Sequence, residues 1–400
     1  MSWSEKSLDE LGFVSRGRSR NRPRDAAHLY GGPYPFVQTG DVKHSGLYLT
    51  EYFQTYSEEG LAQSKLWPVG TLCITIAANI ADTSILGIEA CFPDSVIGFI
   101  PTQGKADARF IKYLFDAVLK LRYRQYTQGA AQDNLSQGKL LALKFLVPDD
   151  VKEQKRIADF IASYDELIEN NRRRIQLLEE SARLLYQEWF VHLRFPGHEQ
   201  VKITDGVPDG WKQSSIGEES SYLNRGITPK YSDDGEYVVI NQKCIRNRVL
   251  SLELARTQSK EYKEEKAVRL GDILINSTGT GTLGRVAQVW DECEKTCVDT
   301  HVTIVRPATY IPYLWLGYCL LGMERRLEDM GEGATNQKEL KRQYVADISI
   351  LRPSNSLMEM FHNTVLDNTK QIQNLMKTNK SLSQTRDLLL PKLMNGELTV

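Results

Sequence analysis

Arginine recurs at every second position in VSRGRSRNRPRD, giving Arg16, Arg18, Arg20, Arg22 and Arg24. Guanidinium groups spaced this way on one loop or strand repel one another unless an anion sits among them, and phosphate is the natural partner. The competing reading is a solvated surface loop. Three other patterns have letters that could do chemistry. GTGTLG at 279–284 satisfies G-x-G-x-x-G and follows the strand-like DILIN. The residues after it, RVAQVW, alternate like a strand, where a dinucleotide site needs a helix N-terminus, so a polar hairpin loop is expected. Cys293, Cys297 and His301 have metal-like spacing but no fourth ligand nearby, and read as cysteines of a turn and strand. PDDVKEQK at 148–155 has the letters of a nuclease motif, yet its acids Asp149 and Glu153 crowd into one helix start. No Walker A sequence, no G-x-S-x-G and no Asn-Pro-Pro-Tyr motif occurs, and the six histidines form no metal-spaced pair. The sequence predicts neither catalytic nor metal-binding residues.

Amides and cations form the remaining set. YLNRGITPKYSDDG carries Asn224, Arg225 and Lys230, and Asn241, Lys243 and Arg246 follow at the end of an apolar run. Asn, Gln and Arg at strand ends are side chains that can contact adenine and guanine edges in a major groove in bidentate fashion. Lys43, Asn79, Gln132 and Asn134 in the first half of the chain complete the candidates for DNA contact. Thr278, Arg285, Asn336, Gln337 and Lys338 do so in the second.

The elements that must position these loops are written twice. PFVQTGDV (35–42) parallels VVINQKCI (238–245), WPVGTLCIT (67–75) parallels VRLGDILIN (268–276), and KFLVP (144–148) parallels SILRP (349–353). QGAAQDNL (128–135) likewise parallels EGATNQKEL (332–340). Each is a framework match with different loop letters, at a period of about half the chain. Each repeat opens with short strands and one probable helix, at 106–126 and at 310–330, which reads as an α+β domain.

Each repeat ends in a heptad seam. Ile157, Ile161, Tyr164, Ile168, Asn171, Ile175, Leu178, Ala182, Leu185 and Trp189 alternate spacings of four and three. Met358, Phe361, Val365, Asn368, Ile372, Leu375, Asn379, Leu382, Arg386, Leu389 and Leu393 do the same. Asp149 or Asp150 and Ser354 are expected N-caps, and Pro196-Gly197 is the expected stop of the first helix. The two seams predict helices packed as an antiparallel coiled coil. Two amphipathic helices lying separately on their own domains are the alternative.

The chain has 400 residues, 50 Lys plus Arg against 51 Asp plus Glu, and 41% hydrophobic residues. Any DNA-binding face is therefore local and not a property of net charge. Six scattered cysteines favour free thiols, and the longest nearly apolar stretch, at 313–323, is too short to span a bilayer, so the expectation is a soluble, cytoplasmic protein without membrane contact.

EQKRIADFIASYDELIENNRRRIQLLEESARLLYQEWFVHLRFPG (153–197) closely resembles the central helical region of type I restriction-modification specificity subunits. VPDGWKQSSIGE (207–218) resembles the start of their second target-recognition domain, and LLLPKLMNGELTV (388–400) the end of their distal helical region. The resemblance implies a non-catalytic subunit that reads a split sequence in double-stranded DNA. Its layout would be target-recognition domains at 1–148 and 198–353, with spacer helices at 149–197 and 354–400 fixing the gap. It further implies two adenine methyltransferase subunits using S-adenosylmethionine and two motor-nuclease subunits using ATP and magnesium, with no cofactor in this chain. Tyr186, Trp189, Phe190 and Leu193 are the candidates for partner contact, with core packing as their alternative. Two rival readings remain, an enzyme with an unusual site and a coiled-coil adaptor that recognises protein.

Overall fold

A computed structural model describes residues 2–21, 23–77, 80–126, 135–333 and 338–400. The chain divides into two compact units, Met1–Arg173 with Met376–Val400 and Arg174–Leu375.

In the first unit, strands Gly12–Arg16, Val96–Pro101, Leu72–Thr75, Thr83–Leu86 and Tyr48–Leu49 form a five-stranded sheet in that order. Only the last pairing is parallel. Both faces are buried, which is why LCIT and TSIL lack an exposed alternate side chain. On one face Ile74, Ile85, Ile97 and Phe99 pack with Phe110, Leu114 and Phe115 of the helix Ala108–Tyr126. On the other, Cys73, Leu86 and Val96 pack with Trp67 and Phe92. Gly98 in the second strand of that order admits the Trp67 ring, since a Cβ there would lie 2.5 Å from it. A second pair, Tyr30–Phe36 with Gln54–Tyr56, lies beside this sheet, and Trp3–Lys6 pairs with Phe145–Pro148.

The second unit repeats the plan. Ser220–Arg225, Val302–Pro307, Ile273–Asn276 and Val286–Gln288 form its main sheet. Arg256–Gln258, Tyr237–Ile240 and Thr296–Val298 form its second, and Lys212–Ser215 pairs with Ser349–Arg352. The single helix expected at 310–330 is instead two, Tyr313–Leu321 and Glu324–Asp329. Gly322 ends the first by returning its N–H to the Tyr318 carbonyl, and a glycine holds a continuing helix poorly. GTGTLG lies in the turn of the antiparallel pair Ile273–Asn276 and Val286–Gln288, as a hairpin loop should.

The long helices are Val151–Tyr186 and Asn355–Met394. Asp150 caps the first, its Oδ1 accepting from the Lys152 N–H at 2.9 Å, whereas Asp149 pairs with Lys6. Ser354 caps the second. The first helix does not run to Pro196. It passes into a π-helical turn at Gln187–Val191, and Leu193 takes a left-handed φ of 58°.

Within the first unit, Ile157 and Ile161 share a core with Leu390, Leu393 and Met394. Asp165 pairs with Arg386, and the Asn171 amide donates to Asn379 Oδ1 at 2.9 Å. Residue numbers rise along one helix as they fall along the other, so these segments run antiparallel. Within the second unit, Ala182, Tyr186 and Trp189 pack with Met358, Phe361 and Val365. Gln154 is fully buried at the start of the first helix. It donates to the carbonyls of Pro148 and Lys105 and accepts from the Asp107 N–H, tying helix, strand and domain together.

Candidate nucleic-acid interface

Arg16 ends the edge strand of the first sheet, and Gly17 behind it lies against the Phe92 carbonyl, where a Cβ would come within 2.3 Å. The chain then runs across the surface, held by its backbone. Arg18 N–H donates to the Phe92 carbonyl at 2.9 Å, the Arg18 carbonyl accepts from Ser64, and Arg20 N–H donates to Gln63. The side chains of Arg18 and Arg20 are exposed and make no ion pair among the described residues. Lys65 lies 3.8 Å from the Trp67 ring centroid, and its pKa is lowered by burial and then by Arg18. Positive charge is thus gathered over an aromatic floor, where an anion would relieve the repulsion.

The five arginines are not uniformly in need of an anion. Arg24 pairs with Asp94 at 2.9 Å, which neutralises part of the segment's charge, and Arg16 donates to the Asp94 carbonyl at 2.8 Å. Arg22 lies outside the described residues.

In the second unit Arg225-Gly226 stands where Arg16-Gly17 does, and a Cβ at Gly226 would meet the Val298 carbonyl at 1.8 Å. Four segments converge here. Arg225 pairs with Glu339 and donates to the Leu340 carbonyl at 2.8 Å; Leu340 N–H donates to the Ser277 carbonyl; Thr278 bonds His301 Nδ1 at 2.7 Å. Asn224 Oδ1 accepts from Arg342 at 3.0 Å. Arg285 donates to the Gly281 carbonyl at 2.7 Å, and Asn241 caps the turn Gln242–Cys244. Asn224, Arg225, Asn241, Thr278 and Arg285 therefore hold the interface in shape with the donors and acceptors that were expected to meet bases. Lys230, Lys243, Arg246 and Lys338 are exposed, as is Lys43 in the first unit. Asn79, Gln132, Asn134, Asn336 and Gln337 lie outside the described residues.

Glu339, Arg342 and Lys65 belong to these surfaces and were not singled out by sequence, and His301 was considered only as a metal ligand. Their partners are distant in the chain, so no local pattern marks them. Among the described residues no three His, Cys, Asp or Glu side chains gather as a metal site. Cys297 is buried in a strand, and burial pushes its thiol up to about 12, while His301 faces Thr278.

The four candidates for partner contact are half-buried and pack within the second unit. Tyr186, Trp189 and Phe190 pack with Phe361, and Phe190 also with Trp211 and Trp315. Leu193 packs beside Phe195 and Trp211. Burial holds the Tyr186 phenol far above its ordinary pKa.

Residues 1–180 match the family model described as the type I restriction modification DNA specificity domain. Along the full chain, the specificity subunit of the type I restriction enzyme MjaIX from Methanocaldococcus jannaschii is 23% identical over 414 residues, covering 100% of this chain and 94% of that protein. The first 180 residues thus match this specificity domain, and the full chain is similar to type I restriction-modification specificity subunits. The HindI specificity subunit of Haemophilus influenzae is 22% identical over 484 residues, covering 99% of each protein. The fold is also that of the crystal structure of a type I restriction-modification system S subunit from M. genitalium. That match has a TM-score of 0.63 at 16% identity over 98% of this chain and 96% of the other. Specificity subunits of this family are recognition proteins, and no helix among the described residues is long and apolar enough to cross a membrane.

Proposed function

We propose that the chain reads a two-part target in double-stranded DNA, one half by the mixed α/β portion of each unit, with the long helices packed as an antiparallel coiled coil that fixes the unspecified gap. The observation that carries the reading is the pair of matched frameworks bearing different surface side chains. Affinity comes from surface cations at phosphates, with exposed Arg18 and Arg20 and half-buried Lys65 in one unit and exposed Lys243 and Arg246 in the other. Two adenine methyltransferase subunits and two motor-nuclease subunits complete the assembly, and they bring S-adenosylmethionine, ATP and magnesium. Leu177, Leu184 and Val191 repeat at seven-residue spacing and are 64%, 47% and 60% exposed, a stripe that suits helix-to-helix docking of the methyltransferase.

The test is co-purification with a candidate adenine methyltransferase subunit from the same host, followed by sequencing of methylated adenines. Methylation at a two-part motif with a fixed gap, altered in one half when residues 1–148 are exchanged, supports the reading. Methylation independent of the chain refutes it and favours an adaptor.

A further inference from the structure

The stretches that lead into Gln54–Tyr56 and Arg256–Gln258 are built alike. Gln54 pairs with Phe36 as Arg256 pairs with Val239, so Thr50-Glu51-Tyr52 stands where Leu252-Glu253-Leu254 stands in the second unit. An amide two residues past the partner strand position holds each stretch. Gln38, the N-cap of Thr39–His44, donates Nε2 to Gln54 Oε1 at 2.5 Å. Asn241, the N-cap of Gln242–Cys244, donates Nδ2 to the Leu254 carbonyl at 3.0 Å.

Both clamped stretches hold apolar side chains in water. Tyr52 is 41% exposed and Phe53 is 91% exposed, and Leu252 and Leu254 are 44% and 47% exposed. Single exposed hydrophobic residues need no explanation, but a cluster recurring at one framework position in both units does. Both stretches also present an exposed glutamate, Glu51 and Glu253.

Difference between the units identifies the occupant. Two copies of one partner protein would meet like side chains at equivalent places. Here the framework, the clamp and the glutamate are kept while the apolar letters change from aromatic to aliphatic, which is what two different half-sites require. Exposed Lys43 lies on the helix that Gln38 caps, and exposed Lys243 and Arg246 follow Asn241, a charge pattern that suits a polyanion. A carboxylate repels phosphate, but within the major groove it accepts a hydrogen bond from the cytosine amino group, and an apolar side chain there packs on the thymine methyl.

We propose that these two stretches are base-reading loops, with Tyr52 and Phe53 contacting thymine methyl groups in one half-site, Leu252 and Leu254 doing so in the other, and Glu51 and Glu253 accepting from cytosine. The proposal rests on the DNA-recognition reading above and names side chains that carry it.

The complex of this chain with the methyltransferase subunit that co-purifies with it is used to select duplexes from a randomised library, and the motif is read by sequencing. Phe53→Ala and Tyr52→Ala relax preference at one or two base pairs of one half by about 10-fold and leave the other half unchanged. Leu252→Ala with Leu254→Ala does the converse, and Glu253→Gln relaxes the same half. All five side chains are exposed, so the variants melt with the wild type. An unchanged motif in both halves, with affinity within about twofold, overturns the assignment, as does a loss of methyltransferase binding with the motif intact. A wild-type complex that selects no two-part motif refutes the underlying reading instead, and is distinguishable because it appears before any substitution is made.

Discussion

Arg386 offers the sharpest test of how the long helices are held in the first unit. Tyr113 donates its hydroxyl to Asp165 Oδ2 at 2.7 Å, and Arg386 occupies the other carboxylate oxygen while also bonding Asp387 at 2.8 Å. Burial, with Asp165 beside it, pushes the Tyr113 phenol far above its ordinary pKa, so it stays a donor. The Asp165 side chain is 14% exposed and that of Arg386 27%. Breaking a fully buried pair costs roughly 3–5 kcal/mol, and partial access of water to the guanidinium reduces this to about 2 kcal/mol for Arg386→Ala. Asp165→Thr removes the acceptor of a buried phenol and half of the partners of Arg386, again about 2 kcal/mol. The double variant strands no charge and is expected to lose about 2 kcal/mol in total, a coupling of about 2 kcal/mol. For a unit of roughly 200 residues, each single change lowers the melting temperature by about 4–8 °C. Thermal unfolding with hydrogen exchange read over residues 157–171 localises the effect. A double variant that loses the sum of the two singles would refute the reasoning, because the pair would then be uncoupled and solvated.

Three further outcomes are expected. Arg18→Ala and Arg20→Ala each lower the slope of log affinity for DNA against log salt by about 0.9, whereas Arg24→Ala, already paired with Asp94, changes it by less; equal effects would contradict the ion-pair assignment. His362 is half-buried with Nδ1 unpartnered among the described residues, and burial depresses its pKa against a weaker opposing effect of Glu359. Its folded value lies below its unfolded one, so its contribution is present above the ordinary histidine range and is lost as pH falls through it. The second unit then melts lower at about pH 5.5 than at about pH 7.5, and His362→Phe flattens that difference. Glu10 is held at about 2 by the Lys144 hydrogen bond and by Ser7, and Asp149 at about 2 by Ser4 and Lys6. Their contribution is present above the usual carboxylate range and is lost as pH falls toward about 2. Acid titration of stability should therefore show a shallower slope in Glu10→Gln.

Periodicity made the scaffold readable. The repeat, the matched strands, the heptad seams and both helix caps are local patterns of one chain segment, and strands such as LCIT and ILIN lie where alternation and glycine turns predict them. The site was less readable because a side chain's availability depends on neighbours far away in sequence. Nothing in NRG marks Arg225 as the partner of Glu339, 114 residues later, and nothing in QEWF marks the π-helical turn at Gln187–Val191. The reverse error is equally physical. Phe53 follows a tyrosine in an ordinary apolar-looking run, and only the fold reveals that its ring stands in water.

The two units also differ where a duplicated chain has most to gain from differing. Asn171, Asp165 and Arg386 in the first unit correspond, at the repeat offset of 204 between Ile168 and Ile372, to Leu375, Thr369 and Ala182 in the second. At these positions the helix contact is polar and hydrogen-bonded in the first unit, beside its apolar core, whereas the contact in the second is apolar and aromatic. A central helix that paired antiparallel with its own copy in the same register would set Asn171 against Ile175 and Asp165 against Ala182. A buried amide and a buried carboxylate would then lack partners, a penalty of roughly 1–3 kcal/mol for the amide and more for the charge. With the C-terminal helix, Asn379 and Arg386 supply those partners. Single polar residues in a heptad seam select partners at some expense of stability. Asn171→Leu with Asn379→Leu should accordingly leave the fold as stable or more so, yet raise the self-associating fraction seen in sedimentation, and no change in that fraction would remove the selective role assigned to the asparagine pair.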